Sequence, residues 1–143
     1  MSCEIYTTVK HIGLPKKTIR DISFFVLQYL RINGDISIHF IGDKRMRTLN
    51  RVYRKKDYTT DVISFAIRET VFPGVHNTQD LGDIFIAIHQ INRQARKQGI
   101  SYKEELIRML VHGILHLVGY DHIKKKDANI MLPLQEKLVK KCI

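Results

Sequence analysis

A chain of 143 residues that is 44% hydrophobic and 27% charged has the balance of a soluble globular protein and excludes a disordered polymer. No run of about 18 apolar residues offers a membrane-spanning helix, and at this length about two thirds of the unfolded surface can be buried, enough for one rigid domain over residues 1–143. Lys and Arg outnumber Asp and Glu by 24 to 14, a net charge of +10 with an isoelectric point near 9.8, which fits a polyanionic partner as well as a merely basic, solvated surface.

The two cysteines, Cys3 and Cys142, stand at opposite ends without a CxxC or CxxH context, so neither a disulfide framework nor a thiolate metal site is expected. The start, "MSCEIYTTVKHIG", has neither a charged region followed by an apolar run nor the arginine-rich amphipathic pattern of a targeting segment. A reducing, cytoplasmic setting follows as the expectation.

In chain order, "EIYTTV" (4–9) reads as a short strand. "PKKTIRDISFFVLQYLRING" opens with Pro15 in a first-turn position and closes at Gly34, with Ile19, Ile22, Val26, Tyr29 and Leu30 recurring at helical spacing. "DISIHFIG" (35–42) alternates Ile36, Ile38 and Phe40 against Ser37, His39 and Ile41, the pattern of a strand on which His39 is a sheet-face residue. "DKRMRTLNRVYRKK" (43–56) follows Gly42 and can be capped by Asp43. An advance of about 100° per residue puts Met46, Leu49 and Tyr53 on one face and Lys44, Arg47, Arg51, Arg54 and Lys55 on the other. Such basic stripes are usually solvated faces, though this one could meet phosphates.

"TDVISFAI" (60–67) and "LGDIFIAI" (81–88) are the two richest β-forming runs, joined by a connection whose Pro73-Gly74 pair marks a turn and which is expected to be the most flexible element. "HQINRQARKQG" (89–99) reads as a helix stopped by Gly99. Ser101 and Glu104 form a capping box for the next helix, which is apolar nearly all round from Leu106 to Val118 and must be buried and central. A last helix, roughly 124–141, carries Ile130, Met131, Leu134 and Leu138 toward the core, with Lys124, Lys125 and Lys126 solvated near its start. The sum is an α+β fold: a mixed sheet of about four strands packed by about five helices.

The central helix ends in "HGILHLVGYDH" (112–122), which holds three of the seven histidines. His112 and His116 lie one turn plus about 40° apart, so their rings project from one side with roughly 6 Å of rise between them. Gly119 can take the left-handed conformation that ends a helix, letting the chain double back until His122 closes on the same point. Three neutral nitrogens at about 2.0–2.1 Å with a fourth position left open are the coordination expected of catalytic rather than structural zinc. A lone histidine in an apolar helix is more often a hydrogen-bonded core residue; three at this spacing are a specific signal. His11, His39, His76 and His89 have no partner at ligand spacing.

The spacing equals that of the zinc-peptidase pattern H-E-x-x-H-x-x-G-x-x-H, whose glutamate is the general base. Here that position is Gly113, which cannot act as a base, so peptide hydrolysis loses its acid/base group. A divalent ion with three neutral ligands keeps its full charge, which suits the charge that gathers on a phosphodiester.

"HGILHLVGYDH", preceded by "LNRVYRKKDYTTDVISF" (49–65) and "LGDIFIA" (81–87), resembles the YbeY-type family of metal-dependent endoribonucleases in the order and separation of all three blocks, over essentially the whole chain. The resemblance implies His112, His116 and His122 as ligands of one zinc ion and Arg54 as the basic residue implicated in activity. It also implies single-stranded ribosomal RNA as substrate, with maturation of the small-subunit RNA 3′ end as the setting, and the ribosomal subunit or its associated proteins as partners. The chain departs from the family's usual pattern at Thr59 and Ala66, where proline is common, and at Ile63, where leucine is common; local loop shape is put in doubt, the ligands are not.

Within that reading Arg54 binds phosphate through its planar fork, and Arg47, Arg51 and Lys55 guide a single strand toward the metal. Asp121 could orient an imidazole or replace the missing base, and Asp61 and Asp83 hold loops rather than perform chemistry. The metal is expected in a cleft at the C-terminal end of the central helix, bordered by the basic helix. Two rivals stand beside it: a metallopeptidase with an unusual base, and a non-catalytic RNA- or ribosome-binding factor with structural zinc.

Overall fold

A computed structural model describes residues 1–67 and 79–143; the Pro73-Gly74 turn, the flexibility expected of its connection, and His76 lie outside the described residues. The elements in chain order are β1 (Cys3–Thr7), α1 (Lys16–Tyr29), β2 (Asp35–Ile41), α2 (Asp43–Arg54), β3 (Val62–Ala66), β4 (Asp80–Ala87), α3 (Ile88–Gln98), α4 (Tyr102–Leu117) and α5 (Lys125–Cys142). The four described strands form one mixed sheet in the order β1-β2-β4-β3, with β1/β2 and β2/β4 parallel and β3 antiparallel to β4. This is the α+β architecture that the hydrophobic periodicities dictate.

The alternation of side chains gives the sheet two different faces. Ile36, Ile38 and Phe40 of β2, with Ile84 and Ile86 of β4, share one core with Ile19, Val26 and Leu27 of α1 and with the apolar body of α4. The intervening residues, Ile41, Ile63 and Ala87, meet Met46 of α2 on the reverse face, with Phe65, Phe85 and Leu49 packed beside them. Glycine is required at Gly82, where φ is +134° and a Cβ would lie 2.0 Å from the carbonyl oxygen of Phe65. That close approach brings β3 and β4 together beneath Leu117 at the end of α4.

Several side chains sit elsewhere than periodicity suggests. α1 ends at Tyr29 rather than near Gly34, and Ile32 donates back to the Leu27 carbonyl at 2.9 Å. Leu27 takes the core place expected of Tyr29, whose ring is 39% exposed beside the ammonium groups of Lys137 and Lys141. In α2 the cap is the extended backbone of Gly42, not Asp43, because the Asp43 carboxylate is drawn into a two-pronged pair with Arg93 of α3 at 2.8 and 2.9 Å. Asn50 is buried on α2 whereas Tyr53 is exposed, its ring edge-on to Phe65. In α5 Ile130 is exposed, and Gln135 and Val139 join Met131 and Leu138 in the buried stripe.

Candidate metal centre

α4 carries the site because its sequence gives it no solvent face to spare. Ser101 caps it, its hydroxyl accepting from the Glu104 amide at 3.1 Å, and Leu106, Ile107, Leu110, Val111, Ile114, Leu115 and Leu117 are buried around it. Such a helix, wedged between the sheet and α1, α3 and α5, holds its side chains in fixed rotamers. It stops where Gly119 takes a φ of +107°. The amides of Gly119 and Tyr120 donate back to the His116 and Leu115 carbonyls at 3.1 and 3.0 Å, and the chain reverses. Asp121 then closes a turn, its Oδ1 accepting from the amides of His122 and Ile123 at 2.6 and 3.2 Å, and these amides hold its carboxyl below the usual range.

The reversal brings the three expected histidines together. Ring centroids lie 4.6 Å apart for His112 and His116, and 5.1 Å from each of these to His122. One nitrogen from each ring falls within 4.8 Å of the others, and among the described residues this group consists of those three. The Nε2 atoms of His112 and His116 are 3.1 Å apart, close to the roughly 3.3 Å that two nitrogens at about 2.0–2.1 Å from a tetrahedral zinc would show. His112 and His116 are half-buried and His122 is exposed, so the cluster is walled by protein below and open above.

Electrostatics keep the helix pair uncharged. Burial pushes His112 down, and burial reinforced by its two histidine neighbours pushes His116 down to about 4. At neutral pH both rings are therefore imidazole, with a lone pair available to a cation. The donor set and its spacing fit a borderline metal such as zinc.

Gly113 shows why no glutamate stands beside His112. A Cβ there would be 2.8 Å from Cγ2 of Ile84 and 3.3 Å from the Ser64 hydroxyl, and that hydroxyl donates to the Gly113 carbonyl at 3.2 Å. Position 113 faces the sheet and is filled by it; there is no room for a base.

The remaining expected residues are placed less uniformly. Arg54 closes α2 with an exposed side chain and has no ion pair among the described residues. Lys55 is the left-handed cap at φ 60°. Asn50 fastens the following loop, its side-chain amide donating to the Tyr58 carbonyl at 2.8 Å while its backbone carbonyl accepts from the Lys56 amide at 3.2 Å. Residues 55–61 lead from there to Asp61, near enough to His112 to act on it electrostatically. Arg51 is exposed. Arg47, in contrast, is held by Asp57 in a two-pronged pair at 2.9 and 3.2 Å.

Asp61 holds the entry to β3, accepting from the Val62 amide at 2.7 Å. Asp83, within β4 as the β-forming run 81–88 implies, holds no loop: it pairs with His39 at 2.9 Å, on the face where the His39 ring stacks between Tyr6 and Phe85. Asp121 acts on His116 and His122 through its charge but makes no side-chain hydrogen bond to an imidazole among the described contacts. The side chain that hydrogen-bonds an imidazole is Gln135 of α5, 5% exposed, whose Oε1 lies 2.6 Å from His112 Nδ1. Sequence reasoning passed over it, although a glutamine four residues after Met131 and three before Leu138 occupies a core position and so calls for a buried partner.

A family model described as Endoribonuclease YbeY matches residues 7–143. A relative from Persephonella marina of that description is 40% identical over 128 residues, covering 88% of this chain and 82% of that one. One from Lacticaseibacillus casei, of the same description, is 41% identical over 137 residues, covering 91% and 86%. The fold is shared with a solution structure of a Thermotoga maritima protein at a TM-score of 0.66 and 24% identity, over 98% of this chain and 88% of that chain. With three histidines converging at the end of a buried helix and the match running almost from end to end, the chain belongs to the Endoribonuclease YbeY family.

Proposed function

We propose that the protein is a zinc-dependent endoribonuclease that cuts single-stranded RNA during ribosomal RNA maturation, with one ion held by His112, His116 and His122. The observation that carries this is the convergence of three imidazole nitrogens within 4.8 Å beside a Gly113 that leaves no space for a peptidase base. When bound, such an ion keeps its +2 charge and stabilises negative charge developing on a phosphate. His112 and His116, uncharged by burial, hold it from the rigid helix; His122 holds it from the turn that Asp121 closes.

Arg54, exposed and without an acidic partner among the described residues, supplies a planar fork for the scissile phosphate. Arg51 and Lys55 add positive charge along the approach, and Arg47 joins them by exchanging Asp57 for a phosphate. The positive balance of the chain makes the approach of a polyanion fast and salt-sensitive. The proposed setting is the cytoplasm, beside the small ribosomal subunit or its associated proteins.

The test is incubation of metal-analysed protein and its His116→Ala variant with labelled single-stranded RNA, duplex RNA and casein. Cleavage of the single strand by metal-loaded wild type alone is expected. Casein cut with RNA intact would make the protein a peptidase, and RNA bound by both proteins but cut by neither would make it a binding factor with structural zinc.

A further inference from the structure

We propose that Gln135 is a positioning residue of the metal centre: its amide oxygen fixes His112 in the tautomer that presents a bare Nε2 to the cation, and Glu136 with Arg108 fixes the amide. The inference rests on the metal-binding reading above.

The argument is one of satisfied donors and acceptors. Arg108 reaches Glu136 through Nε at 2.9 and 3.2 Å and through Nη2 at 2.9 Å, and is itself tied to Glu104 and Glu105. The Glu136 carboxylate, so held, can only accept. It lies 3.2 Å from the side-chain nitrogen of Gln135, so the amide must turn its NH2 toward Glu136 and its oxygen toward His112. An amide oxygen also only accepts, so the His112 nitrogen at 2.6 Å must carry the proton. Nδ1–H leaves Nε2 unprotonated, and Nε2 is the atom that faces His116 at 3.1 Å. The chain of constraint runs from a salt-bridged arginine, through a nearly inaccessible amide, to a ligand nitrogen aimed into the cluster. Partners in this position orient ligands and raise metal affinity by about 10–100-fold in metal sites generally.

The test compares Gln135→Leu, which removes the acceptor, with Gln135→Glu, which keeps an acceptor oxygen but sets two carboxylates side by side. Zinc affinity is read by competition with a chromophoric chelator, and the His112 tautomer by nitrogen-15 NMR of the metal-free proteins. Gln135→Leu is expected to weaken zinc binding about 10–100-fold and to mix the two tautomers. Gln135→Glu is expected to stay within about threefold of wild type with Nδ1 protonated, even though its thermal midpoint falls. Equal losses in both variants, tracking their thermal midpoints, would reduce Gln135 to a packing residue and overturn the proposal. So would a leucine variant with wild-type affinity and an unchanged tautomer. Wild type that takes up no zinc refutes the metal centre itself, and is thereby distinguished from a failure of Gln135 alone.

Discussion

The two polar clusters on α4, centred on Arg108 and His112, lie little more than one turn apart and have opposite chemistry. Around Arg108, the carboxylates of Glu104, Glu105 and Glu136 meet the guanidinium from three sides, and Glu105, 1% exposed, also accepts from Gln94 at 3.3 Å. All three carboxylates there share the one guanidinium, and each is engaged by donors of the protein; the arginine is held further into its charged form and Glu136 below the usual carboxylate range. Around His112 the nearest rings are two more imidazoles and burial drives the helix pair toward neutrality; Asp61 and Asp121 act on the rings only at a distance, with no carboxylate hydrogen-bonded to any of the three among the described contacts. The first cluster is satisfied by its own side chains; the second offers imidazole lone pairs that a cation could take up. What separates structural from functional burial of polar groups here is whether the lone pairs are already used.

Breaking each cluster should therefore fail differently. His116→Ala is expected to lower RNA cleavage about a thousandfold or more and to abolish tight zinc uptake, with circular dichroism of the metal-free protein near that of wild type. Arg108→Met should instead cost about 3–5 kcal/mol of stability by stranding the buried Glu105 carboxylate, read by urea unfolding, while one zinc per chain still binds below the melting range, with an affinity lowered only as far as Gln135 loses its anchor. Gly113→Ala presses a methyl group against Ile84 and should cost about 1–3 kcal/mol in the same measurement, with no gain of peptidase activity.

The pH dependence sharpens the contrast further. His116 binds a proton near its ordinary value of 6.5 when unfolded and only near 4 when folded, so the unfolded state takes up more protons in that window and stability is lost as pH falls through it. Urea midpoints of the metal-free protein should drop by the equivalent of about 1–2 kcal/mol across that window, the ring's half-exposed setting having been allowed for. Smallest is the effect of Arg51→Ala with Lys55→Ala. It should weaken single-strand binding severalfold and reduce the slope of log affinity against log salt by about 0.7 for each phosphate contact removed, by fluorescence anisotropy.

The elements and the convergence of His112, His116 and His122 were legible because they follow from local rules: alternation in β2, the capping box at Ser101, glycine after each of α3 and α4, and two histidines a turn apart on an apolar helix. What escaped depends on contacts between segments far apart in the chain. Asp43 looks like a cap until Arg93 arrives from α3, and nothing in the run 81–88 says that Asp83 meets His39 until β4 pairs with β2. Gln135 is 23 positions from the ring it orients, a distance at which no helical period speaks. Gly113 was legible as a missing base, but that it lies against Ile84, with no space to spare, is a property of how α4 sits on the sheet.

The most direct measurement is zinc K-edge absorption spectroscopy on the metal-loaded protein, paired with zinc titration. The account predicts one ion per chain with three imidazole nitrogens at about 2.0–2.1 Å and a remaining light-atom position that a small anion can exchange into. A sulfur ligand, four protein ligands closing the ion from solvent, or no stoichiometric zinc at all would contradict it.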